Sequence, residues 1–131
     1  MRSGMDRRVE GFDLGAIRAA LRSAGARFAF LHGSRVSASA RTDSDLDVAA
    51  WFAGDVAPWE VPLPSGVDLL TLNHAPMELA GRIALHGELL FDDDPPARVR
   101  WQADTRLRYL DERWRQEMVN RTFKESHARG R

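Results

Sequence analysis

The chain has 131 residues, 44% of them hydrophobic and 29% charged, and contains no cysteine. That is enough for one domain with a real core, and too balanced for a disordered, fibrous or disulfide-stapled polymer. Formal net charge is zero but unevenly spread: residues 1–94 carry 9 basic and 14 acidic side chains, residues 95–131 carry 10 and 5, so an anionic surface would meet the tail rather than the body. Thiolate metal sites are excluded, and no run approaches the roughly 18 apolar residues of a membrane span. With neither disulfides nor a leader-like apolar stretch, a cytoplasmic location is expected. We read residues 1–11 as a flexible N-terminus, 12–118 as the folded domain and 119–131 as a basic tail.

Asp13 is placed to cap a first helix whose apolar residues Leu14, Ile17, Leu21 and Ala24 share one face, and Gly25 to end it. The next segment, 26–32, alternates Phe28 and Phe30 against Ala29 and Leu31, which predicts a strand covered on both faces. Gly33 breaks it, Ser34 can cap a short helical turn, and a second strand follows over 45–52. Three prolines within 54–65 make that stretch a surface loop containing Trp59. A third strand is expected over 66–72, then a helix from Pro76 that Gly87 closes, then a short strand over 88–91. Beyond Pro95–Pro96, Val99, Ala103, Leu107, Leu110, Trp114 and Met118 recur every three or four residues, predicting a long amphipathic helix. Asp104 with Arg108, Asp111 with Arg115 and Glu117 with Arg121 are i,i+4 pairs along it. Trp101 and Tyr109 lie off the stripe, either as an interaction surface or as packing against the sheet. The fold class is α/β (α+β): a mixed sheet flanked by helices.

Strand periodicity puts Asp45 and Asp47 on one face and Leu46, Val48, Ala50 and Phe52 on the other. Two anions on a strand that also feeds a core require a compensating cation, and magnesium, which takes carboxylate and phosphate oxygens, suits them. Asp68 on the next strand is a third acid within reach, which makes a two-ion site feasible. Just upstream, Gly33 and Ser34 stand where a buried strand turns into a helix, so backbone amides and a hydroxyl can cradle phosphate there.

The segment from Gly33 to Phe52, with Gly-Ser, ten residues, then Asp-x-Asp and Ser-Asp-Leu-Asp at 44–47, resembles the signature of polymerase-β-like nucleotidyltransferases. The later VDLLTLNHAP and GELLFDDD resemble the small MntA-type members, antitoxins encoded beside HEPN-domain ribonucleases. The resemblance implies a nucleotidyltransferase fold, with Gly33, Ser34, Arg35 and Ser44 at the nucleotide. It also implies Asp45, Asp47 and Asp68 as catalytic acids and metal ligands, two Mg2+ ions, and ATP as substrate. The implied reaction moves AMP to a hydroxyl, that of a tyrosine, on a HEPN ribonuclease toxin, neutralising it as a hetero-oligomeric partner. No direct nucleic-acid contact is expected. Where the family commonly carries a second arginine and a glycine, this chain has Ser37 and Ala38, and Thr71 and His74 replace an acid and an arginine.

Plainer readings compete. Asp43, Asp45 and Asp47 also resemble the start of a calcium loop, but Val48 and Gly54 occupy positions that need glycine and glutamate. The Gly-Ser segment lacks the lysine of a P-loop. His32 is expected to bond to backbone, and His74, His86 and His127 have no zinc spacing. In function, the alternatives are an antitoxin that acts by binding alone, through the basic and aromatic C-terminal helix, and a nucleotidyltransferase for small molecules.

Overall fold

The computed structural model describes residues 11–33 and 45–130, with side-chain surroundings through residue 126. The expected helical turn after Ser34, the flexible N-terminus and the side chain of His127 lie outside them. Helix α1 spans Leu14–Ser23. The Asp13 side chain accepts from the Ala16 amide at 3.1 Å at its start, and Gly25 follows its end with φ +98, the left-handed conformation glycine adopts without strain. Strands β1 (Ala26–His32) and β2 (Leu46–Phe52) are antiparallel. β3 (Val67–Thr71) runs parallel to β2 on its outer side, and β4 (Glu88–Asp92) pairs antiparallel with β1, giving the order β3-β2-β1-β4.

Between β2 and β3 the chain crosses without an α-helix, through the proline-rich loop expected from sequence. A 3-10 turn at Pro58–Glu60 is locked by the Ala57 amide donating to Glu60 Oε1 at 2.8 Å, while Val61 tucks inward and Trp59 points to solvent. The far end of the β2–β3 pair is held by one side chain that no pattern in the sequence singled out. Asn73 accepts from the Phe52 amide at 3.0 Å and donates to the Phe52 carbonyl at 2.9 Å, acting as a piece of extra strand.

Two layers of side chains cover the sheet. Ala29, Leu31, Leu46, Val48, Ala50 and Phe52 face Ile17 and Leu21 of α1. On the other face Phe28, Phe30 and Ala49 meet Ile83 of helix α2 (Met77–His86) and Ala97 and Trp101 of helix α3 (Pro95–Gly130). Phe28 stacks on Trp51 with ring centroids 5.5 Å apart and touches Trp101 at 5.9 Å. The alternation read from β1 thus appears as two distinct cores. Gly87 closes α2 for a different reason from Gly25: its φ is an ordinary −64, but a Cβ there would press on the Ile83 carbonyl that its own amide bonds at 2.7 Å.

α3 is 36 residues long, about 54 Å at helical rise. It docks by Trp101, Thr105 and Tyr109, with Gln102 and Arg106 both donating to the Ala84 carbonyl that the end of α2 leaves open, at 3.1 and 2.7 Å. Gly81 on α2 lets the helices close, since a Cβ there would overlap the Tyr109 ring. The question that Trp101 and Tyr109 posed is therefore decided in favour of packing. The stripe Val99, Leu107, Leu110 and Trp114 points to solvent, each residue at least half exposed. Asp104–Arg108 and Asp111–Arg115 form as ion pairs at 3.4 and 3.0 Å. Glu117 and Arg121 do not pair: both stand exposed beyond the body, where solvation and side-chain entropy outweigh a weak surface attraction. No helix among the described residues is long and apolar enough to cross a membrane.

Candidate active site

One end of the sheet gathers the end of β1 and the starts of β2, β3 and β4. Here strand register does what spacing alone could only allow. Asp47 lies beside Asp68 across the parallel pair and opposite His32 across the antiparallel one, and adjacent strands lie about 5 Å apart. Asp45 and Asp47 share the parity of Ala49 and Trp51, and Asp68 that of Leu70, so all three acids stand on the α2/α3 face, at the rim where the hydrophobic cover ends.

The Asp68 carboxyl is held above the usual carboxylate range, first by a hydrogen bond with Asp45, then by desolvation, then by the negative charges of Asp45 and Asp47. A hydrogen bond between two carboxyl groups requires a shared proton. The same oxygens would accept a cation in its place. This all-oxygen, anionic donor set suits a hard divalent ion. Among the described residues no group of three or more His, Asp and Glu side chains is arranged to hold a metal by itself. Magnesium does not need one, because it commonly takes one or two carboxylates and completes its shell with substrate phosphates and water.

Gly33 makes the bend beside these acids. Its φ is +101, and a Cβ on it would overlap the Asp47 carboxylate, so both conformation and space demand glycine. The bend and the carboxylate are thus in direct contact, as a phosphate cradle beside a metal would have to be. Ser34, Arg35 and Ser44 lie outside the described residues.

Among the described residues His32 Nε2 is buried with no hydrogen-bond partner, and desolvation holds the His32 pKa below the ordinary histidine value, which favours the neutral ring. His32 lies opposite Asp47 across the antiparallel β1–β2 pair. Glu88, a fourth acid, opens β4 opposite Leu31 at the same end; its only sequence signal was the Gly87 break before it. Thr71 is buried at the opposite end of β3, and His74 follows there, exposed, 3.4 Å from Asp55. The departures at those two positions therefore fall away from the acids.

A glycine bend at a strand end, a paired carboxylate motif on the next strand and a third acid in register beside it meet at one end of a mixed sheet, an arrangement suited in its chemistry to nucleotidyl transfer. Comparison with known proteins agrees. Residues 16–96, well over half the chain, match the family model described as polymerase beta, nucleotidyltransferase, and the chain belongs to that family. No curated protein matches it significantly in sequence.

Among solved structures, similar folds include chains from toxin–antitoxin complexes. One is a toxin–antitoxin with AMP-PNP (22% identity, TM-score 0.68, 85% of this chain and 98% of that one). Another is the toxin–antitoxin MntA-HepT (21%, 0.63, 84% and 96%). A further one is a tri-AMPylated Shewanella oneidensis HEPN toxin in complex with MNT antitoxin (21%, 0.63, 84% and 95%). At these identities the likeness is one of fold.

Proposed function

We propose that the chain is an antitoxin that transfers AMP from ATP to a hydroxyl, that of a tyrosine, on a cognate HEPN ribonuclease, and so silences it. The observation that carries the reading is the meeting of Asp45, Asp47 and Asp68 beside the Gly33 bend. The nucleotide analogue and the AMPylated HEPN toxin described for the structural neighbours support the same chemistry and the same kind of partner.

In this reading the Gly33 backbone, with Ser34, Arg35 and Ser44, holds the triphosphate, and Asp45 and Asp47 hold magnesium with Asp68 alongside. Magnesium when bound would offset the charge of the triphosphate and of the leaving pyrophosphate. The acceptor oxygen attacks the α-phosphorus, forming the new P–O bond as the bond to the bridging oxygen breaks and pyrophosphate departs. The hydroxyl proton passes to the Asp68 carboxylate.

The test is transfer of label from α-labelled ATP to a candidate cognate HEPN ribonuclease. Asp45→Asn and Asp47→Asn are each expected to lower the rate by roughly 1,000-fold or more, with the circular dichroism spectrum unchanged. Labelling at the parent rate by either variant would sink the reading. A binding-only antitoxin would still neutralise the ribonuclease with Asp45→Asn in place.

A further inference from the structure

The longest element of the fold leaves its most apolar side without cover. On α3, Val99, Leu107, Leu110 and Trp114 are 53%, 70%, 51% and 59% exposed, whereas the side that docks on the body is occupied by Trp101, Thr105 and Tyr109. With the exposed Ala103 and the half-buried Met118 the seam residues recur at intervals of four, four, three, four and four. That seam is the narrow kind a second helix fills, running about 28 Å along the axis.

Charge narrows the choice of occupant. Arg100 and Arg121 border the seam and, like Glu117 near its C-terminal end, make no hydrogen bond or ion pair among the described residues, while Arg108 is turned away and paired with Asp104. Residues 95–130 carry 9 basic and 5 acidic side chains. Packing α3 against α3 of a second copy would align two cationic helices, whereas an acidic helix would bring opposite charge to both free arginines.

We propose that the Val99–Met118 seam of α3 is the docking site for an acid-flanked amphipathic helix of the acceptor protein. The proposal rests on the protein-modification reading above, with Trp114 as the aromatic anchor.

The experiment is calorimetric titration of the intact chain with the candidate HEPN ribonuclease, alongside sedimentation of the chain alone and the labelling assay. L110E/W114E alters exposed positions and is expected to fold normally while weakening binding about 100-fold or more. R100E/R121E is expected to weaken it about tenfold and to flatten its salt dependence, with R108E as the unaffected control.

Parent-like binding by L110E/W114E, or no loss with R100E/R121E, overturns the proposal. So does a dimer of the chain alone that L110E/W114E abolishes, because the occupant is then a second copy. A parent chain that does not bind the HEPN protein overturns it together with the partner assignment. If instead the parent binds through the seam but transfers no label, docking stands and the catalytic reading alone fails.

Discussion

At the acid end of the sheet three carboxylates are pressed together by strand register, and the Asp68 proton is held more tightly than on an isolated acid. Along the outer half of α3, large apolar side chains face water with nothing of the body above them. Both arrangements raise the free energy of the isolated chain, one by electrostatic repulsion and the other by unfavourable hydration. The proposed remedies differ: a cation and a triphosphate would relieve the first, a complementary surface the second. Polar crowding fixed by backbone geometry is therefore the basis of the proposed chemistry, and apolar surface on a well-anchored helix the basis of the proposed docking.

The comparison breaks most readily at Gly33. Gly33→Ala introduces a Cβ into the Asp47 carboxylate and strains a residue at φ +101. We expect transfer activity to fall about 100-fold or more in a steady-state assay, with the α3 surface untouched; unimpaired turnover would mean the bend does not set the site.

Next in size is Gly81→Val, which wedges α2 from the Tyr109 ring. It should cost about 2–3 kcal/mol in urea unfolding, and a smaller loss would show that α3 is less firmly anchored than its contacts suggest.

Asp68→Asn sharpens the electrostatic half. A carboxyl whose folded pKa is raised binds more protons in the native than in the unfolded chain, so its contribution to stability declines as pH rises through the folded value. In EDTA at pH 7 the variant should melt above the parent, by a margin that added salt reduces because Asp68 is exposed. That gain should vanish as pH falls toward the unfolded carboxyl value near 4; a variant that melts lower at pH 7 would contradict the assigned repulsion.

The smallest effect is expected from Leu107→Ser, within about 0.5 kcal/mol in the free chain, because the side chain is 70% exposed and little burial is lost. A larger drop in the urea midpoint would mean that the seam is already covered in the free chain.

Much of this was legible in the residues. Asp13 and Gly25 bracket α1 because capping and left-handed backbone are local chemistry. The Phe28/Phe30 and Ala29/Leu31 alternation became two cores because strand parity is geometric. The convergence of Asp45, Asp47 and Asp68 needed only correct pairing of β2 with β3. What could not be read was which side of α3 docks. The apolar stripe and the Trp101–Tyr109 face are both credible packing surfaces. The choice between them is made by Gly81, which belongs to no local pattern and is remote from Tyr109 along the chain, yet lies directly against its ring in space.

Asn73 carries a consequence beyond its own two hydrogen bonds. Side chains on a strand alternate, so sliding β3 by one residue against β2 would turn Asp68 to the opposite surface and put Leu69 beside Asp47. The amide clamped on Phe52 works as an alignment pin, tying the geometry of the reacting groups to a side chain at the other extremity of the strands.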